Sequence, residues 1–456
     1  MASGRPASRG LLNALGLHRP ELRAWAMYDW AVSSMQTVIS TAVFPIFFIK
    51  VAAVDMTAAE GTSALGWANT TAAILIAVLA PILGAIADFR AAKKRFLIGF
   101  MLLGVTATAL MFLIQHGQLL FAAVLFVLSM AGASGSMTFY ESLLPHIASE
   151  EEMDRVSTAG YALGYIGGGL LLAINLAWIT MPQSFGLPSG DNLTRAEATL
   201  PTRLAFLSVG VWWLLFSIPV LRRVPEPPRT IESDETSTAN PFRVAFTRLG
   251  ETLRELRRYK QAALVMLAFT IYNDGIQTIV KMAAAFGNEI GVEEKDLITA
   301  ILLVQFIGIP FAFAFGLLAG KLGAKRSVFL GLAIYTGICI YAYGITTTRE
   351  FYVLACLVGL VQGGTQALSR SLFANMIPKH KSGEFFGFFS VFEKFGGILG
   401  PLVFTLAVSQ TGASRVAILW VIAFFAVGGV VLAFVNVPEG ERVARAADAD
   451  VKRISP

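Results

Sequence analysis

The chain has 456 residues, of which 55% are hydrophobic and 14% charged, with a formal net charge of +6. Soluble domains carry about 25% charged residues, and the mean hydropathy here is +0.65. Together these values exclude a water-soluble globular fold and a disordered chain. The excess of Lys and Arg therefore has to be explained by where it lies.

Residues 1–23, MASGRPASRGLLNALGLHRPELR, are basic with a short apolar run. No small-residue cleavage site follows a clean apolar core, so the segment reads as a cytoplasmic arm against anionic lipid headgroups, not a signal peptide. Twelve apolar stretches follow, at about 24–49, 64–87, 96–115, 119–146, 158–180, 201–221, 261–287, 297–320, 327–346, 350–377, 384–408 and 415–436. About 20 such residues cross a bilayer as a helix, and the stretches are continuous rather than alternating, which excludes a β-barrel. The polar segment 222–260, rich in Arg, Pro, Ser and Thr, divides them six and six. The expected fold class is an all-α membrane protein with two six-helix bundles, 24–221 and 261–436. The charged, Ala-rich tail, 437–456, reads as a mobile cytoplasmic segment.

Orientation follows from the positive residues. On alternate loops and the two termini lie 27 Lys and Arg; the opposite loops hold 6, and Lys281, Arg370 and Lys394 fall within spans. This asymmetry predicts cytoplasmic termini and a cytoplasmic 222–260 loop. It assigns the basic pI to those loops and argues against nucleic acid as a partner. Cys339 and Cys356 sit in apolar stretches and read as small core residues. Four His and no clustered Cys predict no metal site, and no cofactor is expected.

The two halves echo each other. Tyr28-Asp29 in the first span is matched by Tyr272-Asn273-Asp274 in the seventh. GAIADFRAAKKR (84–95) is matched by GLLAGKLGAKR (316–326), ESLLPHI by FANMIPKH, and GYIGGG by KFGGILGP. Four matches in the same order argue for duplication. A carboxylate in hydrocarbon costs at least ~2.5 kcal/mol, so Asp29 and Asp274 are expected to face a partner or a wet path.

Four constellations carry the polar chemistry. In the first span Asp29, Ser33, Gln36 and Ser40 share a face at i, i+4, i+7 and i+11, with Tyr28 beside the acid; Ser33 and Ser40 read better as an interhelical seam. In the seventh, Asp274, Gln277 and Lys281 stand at i, i+3 and i+7, with Asn273 one step round. The acid and amine are roughly 10 Å apart along the axis, so substrate, water or other side chains lie between them, or Lys281 snorkels outward. In the tenth, Gln362, Gln366 and Arg370 follow strict i, i+4, i+8 spacing. Arg370 presents a planar fork suited to a carboxylate or phosphate, and the competing reading is a gate pairing with Glu141. Glu141 itself follows Ser134 and Thr138 in the fourth span, and Glu393-Lys394 lies in the eleventh, where at least one of the two pairs with a neighbouring helix. Asp29, Glu141, Glu393 and Lys394 are the candidates for proton coupling or gating. Asp29, Glu141, Asp274 and Glu393 outnumber the bases Lys281, Arg370 and Lys394.

The Gly84-x-x-x-Asp88 turn, with Arg90, Lys93 and Lys94, resembles the loop motif of the major facilitator superfamily. Phe89 follows Asp88 where that motif has Arg, and the second copy, beginning at Gly316, has Gly320 in place of the acid. YDWA (28–31), FP (44–45), ALGYIGGG (162–169), YNDGIQT (272–278) and QALSRSLFANMIP (366–378) resemble the branch containing the fungal autophagy-related vacuolar amino-acid effluxers and their bacterial relatives. The resemblance covers roughly 22–436. It implies two bundles related by a pseudo-two-fold axis, rocker-switch alternating access, and a role for Asp88 in steadying the outward-open state at a helix N-terminus.

The leading expectation is a secondary active transporter, not an enzyme. Its substrate is read as a small polar metabolite, an amino acid or similar zwitterion or anion, moved outward with H⁺ or Na⁺ as coupling ion. The alternative is an exporter of amphipathic drug-like or lipid-like compounds, favoured by 34 Phe. An intramembrane enzyme would need an HExxH pair or a nucleophile elbow, and neither is present. A pore should show rings of like charge, and a receptor does not require the duplication. The protein is expected to be a monomer among membrane lipids, in a bacterial cytoplasmic (inner) membrane.

Overall fold

The computed structural model describes residues 7–190, 192–228, 247, 258–393, 403 and 414–454. Within them the chain is nearly all helical. A short α1 (Ala7–Ala14) precedes α2 (Pro20–Ser34), which continues through wide π turns at Met35–Ala42 into α3 (Phe44–Phe47) and a second π segment at Phe48–Ala52. Then come α4 (Ala58–Arg90), α5 (Lys93–Leu110), α6 (Leu119–Ile147), α7 (Glu150–Thr180) and α8 (Arg195–Arg223). The second half has α9 (Lys260–Glu289), α10 (Glu294–Leu322), α11 (Ala324–Gly344), α12 (Thr348–Ala374), α13 (382–393), α14 (Ser414–Ala433) and α15 (Val437–Ile454).

Ten of these helices are long and apolar enough to cross a membrane, and eleven when the first, bent by 41°, is counted as one span. They meet eleven of the twelve expected stretches; most of 384–408 lies outside the described residues, as do Lys394 and most of the 222–260 loop. Large apolar side chains such as Trp67, Leu120 and Phe434 are at least 70% exposed, as a lipid-facing surface requires. Four helix starts are fixed by capping boxes, Thr57/Glu60, Ser149/Glu152, Thr194/Glu197 and Thr347/Glu350, each satisfying orphan N–H groups where the chain enters a span.

The halves pack alike. In the first, α4 and α5 lie on α6, and α2 and α5 lie on α8; in the second, α10 and α11 lie on α12, and α9 and α11 lie on α14. This is the pseudo-two-fold arrangement expected from the duplicated sequence. The halves join chiefly where α7 packs along α10 and α12.

Two readings need correction. The first span is not one regular helix. Bonds such as Val43 N–H to the Val38 carbonyl and Ala53 N–H to the Phe48 carbonyl close wider turns, so the face shared by Asp29 and Ser33 is not continued regularly to Gln36 and Ser40. The tail, expected to be mobile, packs against the bundle. It is helical through Ile454, held by a bidentate Arg442–Glu439 pair one turn apart and by buried Ala444 and Ala447. It also reaches the first half, where Arg445 Nη1 lies 3.2 Å from Glu150 Oε2. At the other terminus Arg19 Nη2 contacts Glu152 Oε2 at 2.7 Å. Both termini therefore lie on one face, called here the terminal face.

Candidate substrate and gating site

Buried intramembrane charges from the two halves meet in one cluster. Arg370, near the end of α12, is 1% exposed. Its Nη1 lies 3.5 Å from Asp29 Oδ2 on α2 and 3.7 Å from Glu141 Oε1 on α6. Its shortest bonds go to α7: Nε donates to Ser157 Oγ and Nη2 to the Ser157 carbonyl, both at 2.9 Å. The carboxylate contacts exceed the 2.7–2.9 Å usual for charge-assisted bonds. The guanidinium is thus fixed by neutral acceptors and neutralised at slightly longer range by two acids.

Aromatic rings enclose the ion. The guanidinium carbon stands 4.7 Å from the Tyr161 ring centre, 5.0 Å from Trp25 and 5.9 Å from Tyr140, within cation–π range. Trp25 stacks on Tyr140 at 4.3 Å and donates from Nε1 to the Tyr140 carbonyl. The Tyr140 hydroxyl donates to Asp29 Oδ2 at 2.8 Å, and Tyr28 is buried against the Tyr140 ring at 5.0 Å. Gly160 makes the approach possible, since a Cβ there would stand 2.5 Å from Asp29 Oδ2 and 3.2 Å from Arg370 Nη2.

The seventh-span copy of the tyrosine motif meets the same helix. The Tyr272 hydroxyl bonds the Ser369 hydroxyl, and Gln366 Nε2 donates to Asn273 Oδ1 at 3.2 Å. Adjacent residues on a helix point about 100° apart, so Ser369 faces α9 while Arg370 faces the other half. Asp274 is buried on α9, and Gln36, Gln277 and Gln362 are partly exposed. Lys281 belongs to α9, but its side chain lies outside the described residues. Glu393, on α13, is partly exposed.

A second cluster closes the terminal face. Asp88 Oδ1 pairs with Lys93 Nζ at 2.7 Å, and Asp88 Oδ2 accepts the Glu384 backbone N–H at 3.0 Å, at the N-terminus of α13. Lys93 Nζ also reaches His146 Nε2 and Ser382 Oγ, each at 2.8 Å. Gly84 lets α4 cross α13, because a Cβ there would overlap the Gly383 carbonyl oxygen. Its second-half counterpart Gly316 does the same for α10 on α7, where a methyl group would overlap Thr158 Oγ1. Arg90 is exposed. Ser371 Oγ to Asp154, Ser157 Oγ to the Ala367 carbonyl and Ser382 Oγ to the Ser142 carbonyl add bonds across the same seam.

Sequence spacing singled out Asp29, Glu141 and Arg370 but not Trp25, Ser157, Gly160 or Tyr161. Trp25 stands four residues before Asp29, hence on the same face, and that signal was available. Ser157, Gly160 and Tyr161 form an i, i+3, i+4 set hidden in a run of small residues.

A family model described as vacuole effluxer Atg22 like matches residues 61–445. The chain is 36% identical over 413 residues to the uncharacterized MFS-type transporter YxiO of Bacillus subtilis (strain 168), covering 90% of this chain and 94% of that protein. It is 31% identical over 283 residues to autophagy-related protein 22 of Yarrowia lipolytica (strain CLIB 122 / E 150), covering 56% of this chain and 46% of that longer protein. Among solved structures, the proton:xylose symporter XylE superposes with a TM-score of 0.67 at 13% identity, covering 96% of this chain and 98% of that one. FucP in its outward conformation gives 0.66 at 12% identity, with coverages of 92% and 100%. At these identities the structural likeness speaks for the fold alone. With the family match and the YxiO relative added to it, the chain belongs to the Atg22-like vacuole effluxer family and is an integral membrane transporter of the major facilitator type.

Proposed function

We propose that this transporter moves a small zwitterionic or anionic metabolite, an amino acid or a close analogue, by alternating access, with Arg370 as the group that alternates between protein acids and substrate. The observation that carries the reading is the buried Arg370–Asp29–Glu141 cluster, because its partners come from opposite halves. A rocking motion that parts the halves at the terminal face must break it. The fork that leaves Asp29 and Glu141 then needs a new anion, and a substrate carboxylate has the matching geometry. The description of the matching family as a vacuole effluxer supports an outward direction. The gathering of Lys and Arg on loops of the terminal face supports a cytoplasmic orientation for that face, in the cytoplasmic membrane.

The test starts with a thermal-shift screen of purified protein against amino acids, dipeptides, sugars and nucleosides. An amino acid should stabilise the protein, and in proteoliposomes it should accumulate above its equilibrium level when an ion gradient is imposed. Stabilisation only by sugars or nucleosides would overturn the substrate class. Equilibration without accumulation under every gradient would overturn active transport.

A further inference from the structure

The cage around Arg370 is built from one half of the molecule. Trp25 and Asp29 come from α2, Tyr140 and Glu141 from α6, and Ser157 and Tyr161 from α7, whereas the guanidinium they hold comes from α12. Ring faces and carboxylates that surround a cation from the other half make up a receptor for an organic cation, and Arg370 is its tethered occupant. When the halves part at the terminal face, the six residues stay together and the occupant leaves. Asp29, 5% exposed in the closed arrangement, then loses its guanidinium. Buried charge of this kind requires a replacement.

We propose that this cage is a binding site for a primary ammonium or guanidinium group, filled by Arg370 when the terminal face is closed and by the cationic end of a ligand when it is open. Rings and carboxylates together favour an organic cation with a hydrogen-bonding head over a bare inorganic ion, because the rings offer no lone pairs for coordination. The Ser157 carbonyl and hydroxyl, which now accept from Nη2 and Nε, are the acceptors that such a head would use. The proposal rests on the alternating-access reading. For a zwitterion it adds that the ammonium takes the cage while the carboxylate takes Arg370, so that the ligand inserts into an existing ion pair. Arg370 and ligand then compete for one site, and the ligand can bind only the form from which Arg370 has withdrawn.

Binding, not transport, is the readout, so failure of the cage and failure of the substrate assignment are separable. Arg370→Ala protein in nanodiscs is titrated with n-propylguanidinium and n-propylammonium, following thermal stability. Saturable binding should be at least about tenfold tighter than to the wild type, an increment of ~1.4 kcal/mol, and the added Asp29→Asn substitution should abolish it. The second arm keeps Arg370 in place, in case Arg370→Ala does not fold. Nitroxides at the exposed positions Arg95 and Arg326, in a Cys339→Ser, Cys356→Ser background, report the distance between halves at the terminal face. n-Propylguanidinium should increase the longer-distance population, and Tyr161→Leu should weaken that response while Tyr161→Phe retains it. Equal binding of the cations to wild type, Arg370→Ala and the double variant would overturn the proposal. So would a distance distribution unmoved at millimolar probe. Should transport of an anion without any amine coexist with no cation binding, the transporter reading stands and the cage does not.

Discussion

Arg370 concentrates the physical problem of this protein into one side chain. Its charge cannot be removed in a protein environment, so every conformation has to supply acceptors for it. In the closed arrangement Ser157 supplies two and the acids supply the countercharge. A lysine at the position keeps the charge but lacks the planar fork that reaches the Ser157 hydroxyl and carbonyl together. Arg370→Lys, which loses the fork, is expected to transport at about a tenth of the wild-type rate or less, close to Arg370→Ala, where removing one partner of a buried pair costs about 3–5 kcal/mol. Initial rates in proteoliposomes check this, and near-normal uptake by the Lys variant would leave only a general need for positive charge. The ionisable members of the cluster were legible in the sequence because charge in an apolar stretch is conspicuous. The pairing of Arg370 with Glu141 was one of the two readings of that arginine, whereas that with Asp29 was not legible. Asp29 and Arg370 are 341 residues apart, and their pairing depends on how α12 crosses α2 and α7. Gly160 was illegible for a related reason: its importance lies in the atoms that its missing methyl makes room for.

The crossing of α4 and α13 joins an N-terminal dipole to a carboxylate. Asp88 sits where backbone N–H groups of α13 point outward and is also paired with Lys93, a residue 3% exposed. Asp88→Asn keeps an acceptor for the Glu384 N–H but takes away the carboxylate 2.7 Å from the Lys93 ammonium. The substitution should shift the Arg95–Arg326 distance population toward longer values and lower the thermal stability of the detergent-solubilised protein. An unchanged distribution would make the contact incidental to closure. At this scale, apolar length made most helices readable, because it is local. The first span shows the limit. A 3.6-residue period was the only ruler available for Asp29, Ser33, Gln36 and Ser40, and π turns from Met35 onward reset the angle between successive residues. The tail shows another. The burial of its small residues Ala444 and Ala447 depends on the surface of the bundle they meet and is invisible in composition.

At the scale of the molecule, duplication was readable and its consequence was not. Tyr28-Asp29 and Tyr272-Asn273 belong to symmetry-related spans, yet both are tied to neighbouring residues of α12, directly through Asp29 and Tyr272. One helix thus senses both halves, and its displacement is felt by both copies of the motif. Orientation is checked by single-cysteine labelling in a Cys-free background. Ser189→Cys should react with an impermeant reagent in intact cells, and Arg442→Cys should react only after permeabilisation; the reverse pattern would invert the assignment.

Ion coupling is the last prediction from the same geometry. The cluster sets two acids against one arginine. On the proposed cycle Asp29 and Glu141 lose the Arg370 guanidinium, and substrate, proton or sodium ion would then supply countercharge at these carboxylates, since enclosed charge is costly. If protons and the cationic end of the substrate compete for these two oxygen sets, proton entry and substrate exit exclude each other on the carrier, which is the condition for antiport. In sodium-free proteoliposomes, an inward-directed proton gradient should then drive substrate out against its own gradient, and an ionophore that collapses the pH difference should stop it. Asp29→Asn and Glu141→Gln remove one proton site each. At least one of them should lose gradient-driven movement by about tenfold while keeping substrate exchange, because exchange needs only that the occupied carrier can turn over. Active transport that is indifferent to the pH gradient, and concentrative in both neutral variants, would assign the countercharge to substrate or sodium and remove the proton from the cycle.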